Sequence, residues 1–391
     1  SPFASIQSAI NFATTDGDSV NVASGTYVEN INFRGRNIKV VGQDRETTII
    51  DGNQSGPVVD CYYNENMYFT PVLKNITLTN GVGENFENNI MGGGVFARYS
   101  NPQLENVLIT GCSAWAGSAI YTYNPSTSDT TTIKNCVFSG NSAGGNDGTV
   151  HGTSSNLKIV NTLISDNSGG GLFFQGQNNV NIINSTIINN VNDMGVMLQG
   201  GTNTIINSII SGNESTQLRI LNSCNLTVEY SDIDGGQDSV LVEGNAVLNW
   251  GSGNIDVDPR FVDTDNDDYQ LADWSPCIGV GLNTGIVPDL DIEGNIRPNP
   301  AGSNPDMGAY ENPLSLPVEH IVITPDILLV TEDSLATVDF RENDLILYVT
   351  TVVLSIIDSS SHGTVAVAGD TMLTYTPMAD FFGYDTIEYA L

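Results

Sequence analysis

One short motif, an apolar residue followed two positions later by asparagine, recurs along the chain and constrains its fold more than any other feature. The interval between copies shortens along the chain and then becomes constant, and the last copy carries Tyr230 in place of asparagine. The apolar residues that begin the copies are Leu73, Leu104, Ile133, Ile159, Ile182, Ile205 and Val228. A period that settles at about 23 residues predicts a solenoid, in which each repeat forms one coil and neighbouring coils share a core.

The spacing within each repeat indicates strands. A large apolar residue lies five positions after the first one, as Ile164 follows Ile159. Alternating apolar residues, a pattern typical of strands, then recur in every repeat, and helical spacing is absent. These second segments are 94–97, 119–122, 148–151, 171–174, 195–198, 217–220 and 239–242. The sequence therefore predicts an all-strand solenoid whose coils stack at about 4.8 Å, with a short amphipathic capping helix near residues 2–14.

Composition bounds the partners of the chain. There are 45 acidic and 12 basic residues, for a net charge of −33, which disfavours binding to nucleic acid. Five cysteines form no CxxC pair and have no histidine at metal-binding spacing, so neither a zinc site nor a redox motif is indicated. No apolar run approaches the length that a membrane-spanning helix needs, and we predict no transmembrane segment. The start at Ser1 suggests a processed or trimmed secreted protein.

The repeats place residues 1–312 in a recognisable group. Their apolar-x-Asn-x-x-apolar pattern resembles that of the right-handed parallel β-helix repeat proteins. Residues 5–27 look like the N-terminal cap and first coil of that family, and residues 258–311 are similar to the closing segment of its large secreted bacterial members. The resemblance implies the fold but not an activity, because the family includes lyases, hydrolases and adhesins.

The composition changes after residue 312. Residues 313–319 are proline-containing and predict a linker. Residues 320–391 resemble bacterial cadherin-like or immunoglobulin-like repeats, through Glu332-Asp333, 362–365 and 382–389. The resemblance implies a small β-sandwich in which a last edge strand is missing, to be completed in cis or by another chain. The predicted fold class is therefore all-β throughout, a capped solenoid followed by a sandwich.

Cleavage of a polysaccharide on such a scaffold needs clustered carboxylates, or calcium with a basic residue. Asp147, Asp193 and Arg219 are the weak catalytic candidates. The paired aspartates and the Gly-His-Gly and Arg-Ile-Lys signatures of pectin hydrolases are absent. Alignment with the preceding and following repeats places His151 in the inward column, where we expect a hydrogen-bonded interior histidine.

Calcium is the one cofactor that the sequence suggests. Asp263, Asp265 and Asp267 form one run of alternating carboxylates. A second run consists of Asp289, Asp291 and Glu293. Oxygen ligands at alternate positions suit Ca²⁺ in a turn, although neither run matches the EF-hand loop, and a solvated acidic loop is the alternative interpretation.

The outward column of the second segments is the most informative surface. Alternation predicts that its side chains point away from the core. The members proposed to bind a ligand or partner are Phe96, Tyr121, Phe173, Met197 and Arg219, and the column also takes in Val150 and Leu241. Three interpretations remain open: a lateral protein contact, an aromatic platform for sugar rings, or a face covered by residues 250–312.

These observations favour a structural or adhesive protein, secreted or displayed at a cell surface and bacterial in type. Its expected partners are further copies of itself, as an oligomer or filament, or extracellular glycans. A non-catalytic role is predicted because the catalytic signatures are absent. The alternative is a polysaccharide lyase or a glycoside hydrolase acting on an extracellular polysaccharide.

Overall fold

The computed structural model describes residues 3–64, 68–125, 129–176, 179–349, 351–369 and 371–391. Two compact units divide the chain after Ser315, inside the segment predicted as a linker. The first unit is a parallel β-solenoid and the second consists of small antiparallel sheets. The predicted all-β fold class is confirmed.

A short helix, Ile6–Phe12, packs against the first coil. Ser5 caps its N-terminus, and the carboxylate of Glu29 in the first coil accepts hydrogen bonds from two backbone N–H groups of its first turn. Ile6 and Ile10 are buried and continue the solenoid core. The helix therefore covers the beginning of the core, as the sequence predicts.

Each coil contributes strands to three parallel ladders, which we call the first, second and third sheets in the order in which the chain enters them. Strands of the first sheet are Ser19–Val22, Lys39–Gly42, Thr130–Lys134, Asn156–Val160, Val180–Ile183, Thr202–Ile206, Asn225–Glu229 and Val247–Trp250. Strands of the second sheet are Gly25–Val28, Thr48–Asp51, Val137–Ser139, Leu163–Ser165, Thr186–Ile188, Ile209–Ser211 and Asp232–Ile233. Val72–Thr79 and Gln103–Thr110 run through both sheets.

The third sheet has nine strands, one from each of nine successive coils of the solenoid. These strands are Ile31–Asn32, Val59–Cys61, Val95–Arg98, Ile120–Tyr123, Val150–Thr153, Leu172–Gln175, Val196–Gln199, Leu218–Leu221 and Leu241–Glu243. Inward side chains of all three sheets form one continuous apolar core. The five cysteines are buried and carry free thiols.

The asparagine of the repeated motif makes the bend from the first sheet to the second. Asn161 has a φ of 46°, in the left-handed region that asparagine tolerates better than most residues, and the other motif asparagines share this conformation. The Asn161 Nδ2 donates to Asn135 Oδ1 of the preceding coil at 3.1 Å. The motif therefore sets both the bend and the stacking of coils.

A second ladder of asparagines follows the second sheet, at Asn141, Asn167, Asn190 and Asn213, and all four are buried. Each of the first three donates from Nδ2 to Oδ1 of the next one at 2.9 or 3.0 Å. Each Nδ2 also donates to a backbone carbonyl of the preceding coil. Asn161 and Asn167 therefore both hold neighbouring coils together through side-chain hydrogen bonds.

A small four-stranded sheet lies at the corner between the second and third sheets. It begins with a hairpin of Glu84–Phe86 and Asn89–Met91. Ser113–Ala116 and Ser142–Asp147 of the next two coils extend it in parallel. Later coils continue this line only by single bridges at Ser168 and Val191.

Residues 258–312, the closing segment, cover the second sheet. They include the antiparallel strands Phe261–Asp263 and Asp268–Leu271, and a 3₁₀ turn at Thr264–Asn266 joins the two strands; another 3₁₀ turn, Gln237–Ser239, precedes the segment. Their apolar side chains pack on outward residues of the second sheet, including Leu163 and Ile209. Of the three interpretations left open for the outward column, coverage by residues 250–312 is therefore not supported, because the closing segment packs on the second sheet.

The closing segment carries a buried cluster of charges. The Arg297 guanidinium, fully inaccessible to solvent, lies 2.8 Å from the Glu311 carboxylate. It also donates to Asn161 Oδ1 at 3.3 Å and to the Gly308 carbonyl at 3.2 Å. Burial and the charge of Glu311 raise the pKa of the neighbouring Asp306 carboxyl to about 8.

We expect the stability of the solenoid to fall as the pH rises from 5 to 9. Burial raises the pKa of Asp306 to about 8 and that of Asp232 to about 7, well above the value near 3.9 of an unfolded aspartate. The native state therefore binds more protons, and this stabilisation is lost as the pH passes through the raised pKa values. Urea denaturation should show a loss of roughly 5 to 7 kcal/mol. Asp232→Asn with Asp306→Asn should flatten the decline, and a wild-type stability that is constant or rises would contradict the prediction.

The C-terminal unit contains only short antiparallel sheets in its described part. One pairs His320–Val322 with Leu345–Leu347, and another pairs Ser355–Asp358 with Glu388–Ala390. A three-stranded sheet of the C-terminal unit contains Ala336–Asp339, Met372–Pro377 and Gly363–Ala368. Phe340, Leu373 and Tyr375 are its buried hydrophobic residues. Across the described residues of the whole chain, no helix combines the length and apolarity needed to cross a membrane.

Candidate functional site

The outward face of the third sheet contains an unbroken column of side chains. Strand register places Phe96, Tyr121, His151, Phe173, Met197, Arg219 and Leu241 opposite one another in successive coils. His151 therefore belongs to the outward column and Val150 to the core, the reverse of the prediction. The other predicted members of the column are placed correctly.

Four rings of this column stack along the solenoid axis. The ring centroids of Phe96 and Tyr121 are 5.7 Å apart, those of Tyr121 and His151 5.3 Å, and those of His151 and Phe173 4.9 Å. Their planes are within 18° of parallel. Each interior ring of the stack thus has a neighbouring ring on both faces, so the column presents ring edges to its surroundings. This geometry disfavours the predicted aromatic platform for sugar rings.

The N-terminal end of the column, at Phe96 and Tyr121, is covered. Phe86 of the hairpin contacts Phe96 and Tyr121, with ring centroids 6.1 Å from each, and both covered residues are buried. The Arg98 guanidinium, on the same sheet, lies 4.5 Å from the centroid of the Phe86 ring. The predicted exposure of Phe96 and Tyr121 is therefore wrong, whereas Phe173, Met197 and Arg219 stay partly accessible.

His151 is held in one neutral form. Its Nδ1 lies 2.9 Å from the Asp147 carbonyl oxygen, which can only accept, so Nδ1 carries the proton. Nε2 then accepts from the Thr153 hydroxyl at 3.2 Å. Burial lowers the pKa of His151 to about 4. The expected hydrogen-bonded histidine is present, on the outer face of the sheet and beneath its neighbours.

An open cleft of about 410 Å³ lies on the four-stranded sheet, beside this column. Trp115 is its largest lining side chain and is 47% exposed. One edge of the indole lies directly on the backbone of Gly145, where a Cβ atom would come within 2.5 Å of Nε1. The remaining lining residues are Val82, Ile90, Ser113, Ala114, Ser142 and Gly144. The cleft therefore combines an exposed aromatic surface with small and hydroxyl-bearing side chains.

The catalytic candidates Asp147, Asp193 and Arg219 do not line this cleft, and Asp147 is linked to it through Trp115. The Trp115 indole N–H donates to the Asp147 carboxylate. Burial and the negative charge of Asp193 raise the pKa of Asp147. Burial also raises the pKa of Asp193, against the opposing charge of Arg219. The structure thus brings the three predicted residues into one electrostatic neighbourhood.

The coil between the two aspartates carries glycines. Backbone hydrogen bonds place Gly169 and Gly170 in the coil after Asp147 and before Asp193. Two coil spacings put the backbones of the two aspartates roughly 10 Å apart. A Cβ atom on Gly170 would lie 3.1 Å from the Asp193 Cβ, so the side chain of Asp193 occupies the room that this glycine leaves.

The predicted calcium ligands do not converge. Among the residues that the structure describes, no group of three or more His, Cys, Asp or Glu side chains is arranged to hold a metal ion. Asp263, Asp265 and Asp267 lie on the exposed turn of the closing segment. The buried Asp291 carboxylate accepts hydrogen bonds from Asn295 and from the backbone N–H groups of Glu293 and Glu311. Asp289 and Glu293 flank it, and calcium binding at either run stays a prediction.

Sequence reasoning missed Trp115 and the cleft, although a signal was present. The three longest intervals between motif copies, which begin at Leu73, Leu104 and Ile133, contain the hairpin, Ser113–Ala116 and Ser142–Asp147 respectively. The shorter repeats that follow contain no strand at this corner of the described chain. The extra residues therefore mark the coils that build the cleft.

Comparison with known proteins identifies the two units. The family described as "Right handed beta helix region" matches residues 72–192 and 118–256, and the family described as "Bacterial Ig domain" matches residues 317–391. No curated protein matches the chain at a significant level.

Three solved structures show a distant similarity to this chain, at low sequence identity and low TM-score. A pectin methylesterase mutant in complex with hexasaccharide IV is 10% identical, with 70% of this chain and 94% of that one covered and a TM-score of 0.30. The A-module of a mannuronan C-5 epimerase from Azotobacter vinelandii is 14% identical, with coverages of 65% and 94% and a TM-score of 0.30. A pectin methylesterase from carrot is 12% identical, with coverages of 65% and 82% and a TM-score of 0.26. Such distant similarity carries no activity over to this chain. The family matches and the observed coils together identify the chain as a right-handed parallel β-helix protein with a C-terminal bacterial Ig domain.

Proposed function

We propose that this protein is an adhesive protein of the bacterial cell surface or extracellular space that binds a glycan in the Trp115 cleft. The observation that carries the proposal is the indole of Trp115, which is 47% exposed in an open cleft and fixed in orientation. The hydrogen bond from Nε1 to Asp147 and the contact with Gly145 supply that orientation.

The chemistry of the cleft suits a sugar better than a purely apolar ligand. A pyranose ring has an apolar face of C–H groups, which packs on an aromatic ring, and a rim of hydroxyl groups, which needs hydrogen-bonding partners. Trp115 and Ile90 offer apolar surface, and the exposed residues Ser113 and Ser142 offer hydroxyl groups beside it. The cleft is open rather than enclosed, which lets a polymer extend beyond its ends.

The modular architecture supports an adhesive role. A rigid β-helix presents the cleft on regular strands, and many cell-surface domains share the immunoglobulin-like sandwich architecture. The proposal includes an extracellular location and self-association of the protein into oligomers or filaments. The partly accessible residues Phe173, Met197 and Arg219 are the surface that such an association would use.

Hydrolysis of the bound glycan is the second candidate function. The specific observation in its favour is the pair Asp147 and Asp193, whose pKa values are both raised and whose backbones are roughly 10 Å apart. Inverting glycosidases place an acid and a base about 6.5 to 9.5 Å apart, a separation that side chains on this backbone spacing can reach.

We expect Trp115→Ala to weaken glycan binding at least about tenfold, because truncating a buried or stacked aromatic anchor costs on the order of 2 kcal/mol. A glycan array identifies the ligand, and isothermal titration calorimetry measures its dissociation constant for each variant. Thermal unfolding confirms that the variant is folded.

Tyr68→Ala is the matched control, since Tyr68 is 49% exposed and lies outside the cleft. It should bind as the wild type does. Equal affinities of wild type and Trp115→Ala, or binding to no glycan on the array, would rule out the proposed site. New reducing ends released by the wild type but not by Asp147→Asn would favour hydrolysis over passive adhesion.

A further inference from the structure

The beginning of the solenoid core is capped by hydrogen bonds as well as by apolar contacts. Besides burying Ile6 and Ile10, the capping helix carries Gln7, whose side chain lies against the first strand of the third sheet. The Gln7 Oε1 accepts from the backbone N–H of Asn32 at 2.7 Å, and the Gln7 Nε2 donates to the Asn32 carbonyl at 3.1 Å. The edge of the first coil therefore has its cover within the chain.

The last coil has no comparable cover among the described residues. Its strands Leu241–Glu243 and Val247–Trp250 pair only with the coil before them. Val242 continues the inward column of Ile220, yet it is 46% exposed, whereas Ile220 is fully buried. Trp250 also continues an inward column and is only partly buried. The core is therefore open at its C-terminal end.

This open end has the properties of an interaction surface. An unpaired strand edge offers hydrogen-bonding groups to another chain, and exposed apolar side chains beside it gain from being covered. Leu241 and Val247, which are 44% and 51% exposed, extend the apolar surface to the rim of the end. A partner that binds here must therefore present apolar surface of its own.

The outer side of the capping helix presents such a surface. Phe12 is 75% exposed and Phe3, just before the helix, is 50% exposed. Their ring centroids are 5.3 Å apart, so the two rings form one aromatic patch. The helix thus packs on the core with one side and displays aromatic rings on the other.

Charge favours a contact between unlike ends of two molecules. Residues 229–258, which include the last coil, contain seven acidic residues and no basic one. Residues 1–42, which include the helix and the first coil, contain three acidic and three basic residues. Two C-terminal ends would therefore repel each other, whereas a C-terminal end and a capping helix would not.

We propose that the open C-terminal end of the solenoid binds the capping helix of a second copy, so that the molecules assemble head to tail. The rings of Phe3 and Phe12 cover Val242 of the neighbouring molecule. This inference rests on the proposed self-association and gives it a direction; it is independent of the glycan cleft and separate from the lateral surface described above. Because the two sides of the contact differ, it does not close on itself and produces open filaments.

The first test is sedimentation velocity of the full chain between roughly 1 and 100 µM, the range in which weak contacts associate. We expect a weight-average mass that keeps rising with concentration, because each added molecule leaves one free cap and one free end. A mass that stops at the dimer would indicate a symmetric contact and would overturn the inference.

Two charged variants then block one side of the contact each. Phe12→Asp changes the cap and Val242→Asp changes the open end, and each alone should associate at least about tenfold more weakly than the wild type, because a carboxylate is costly to bury without a partner. An equimolar mixture combines one intact cap with one intact end and should form dimers and nothing larger. Filaments formed by either variant alone would overturn the inference.

Val191→Asp is the matched control, because Val191 is 43% exposed and lies on the side of an interior coil. It should assemble as the wild type does. Circular dichroism verifies that each variant is folded, and Val247→Asp, at the rim of the same end, replaces Val242→Asp if that variant unfolds. Wild-type assembly by the variants at both ends would overturn the inference and leave lateral self-association in place. A wild type that is monomeric at every concentration would overturn self-association as well, without affecting glycan binding.

Discussion

Replacing Asn167 by leucine is expected to lower the free energy of unfolding by roughly 3 to 5 kcal/mol. The Asn167 Nδ2 donates at 2.9 Å to the carbonyls of Phe138 and Ser165 and to Asn190 Oδ1. Its Oδ1 accepts from both the backbone N–H and the Nδ2 of Asn141. Leucine fills a similar volume but leaves these buried groups without partners, each at about 1 to 3 kcal/mol. Urea denaturation followed by circular dichroism measures the difference.

Asn245→Leu is the matched control for this effect. Asn245 also links neighbouring coils, since its Oδ1 accepts from the Ser223 backbone N–H at 2.8 Å, but it is exposed. Water can replace that partner, so we expect a loss below about 1 kcal/mol. If Asn167→Leu and Asn245→Leu were equally stable, the buried asparagine ladder would not be what holds the coils in register.

The second large effect is expected for Arg297→Met, which should cost roughly 3 to 5 kcal/mol. The Arg297 guanidinium lies 2.8 Å from Glu311 and compensates the buried carboxyls of Asp291 and Asp306. Methionine removes this charge and also the hydrogen bonds to Asn161 and Gly308, which join the closing segment to the coils. Equilibrium unfolding measures the global effect, and limited proteolysis shows whether the closing segment detaches first.

Two further variants separate the buried ion pair from a general effect of losing an arginine. Arg260→Met breaks a partly exposed pair, with Arg260 and Asp258 3.1 Å apart, and should cost less than about 1 kcal/mol. Arg297→Met combined with Glu311→Leu should recover part of the stability, because the carboxylate left without a partner is removed too. A cost for Arg297→Met as small as that for Arg260→Met would show that the cluster is not stabilised by this arginine.

The scaffold could be predicted from the sequence because one short motif performs two separate tasks. Ile159 and Ile164 fill the core, while Asn161 and Asn167 make hydrogen bonds that only a stacked coil can supply. Asp166, two residues after Ile164, accepts a hydrogen bond from the Tyr269 hydroxyl at 2.7 Å and so anchors the closing segment. That contact joins residues 103 positions apart, and local patterns do not reveal it.

The orientation of His151 could not be read from alternation alone. Alternation fixes which residues of a strand share a face, but the loop before the strand decides which face is inward. In three other coils the first inward residue directly follows a glycine, as Leu172 follows Gly171. In the coil of His151 an additional residue, Thr149, separates Gly148 from the inward Val150. An alignment of the coils on this glycine therefore assigns His151 to the core and Val150 to the outer face, the reverse of the observed orientation.

The candidate site depends on insertions, and insertions are where repeat patterns lose their predictive value. The hairpin that covers Phe96 and Tyr121 does not match the repeated sequence pattern. The strand that carries Trp115 does not match it either. The relation of Asp147 and Asp193 to Trp115 spans four successive coils, and predicting it needs the register of all four. Unequal repeat lengths could have located this corner, though not its chemistry.

Hydrogen–deuterium exchange with and without the glycan found on the array tests the central claim most directly, because it locates the bound ligand without any mutation. Binding in the Trp115 cleft predicts slower exchange in Glu84–Phe86, Asn89–Met91, Ser113–Ala116 and Ser142–Asp147. Strands of the first sheet should exchange as they do in the free protein. Protection confined to the first sheet or to the C-terminal Ig domain, with none in these four strands, would contradict the account.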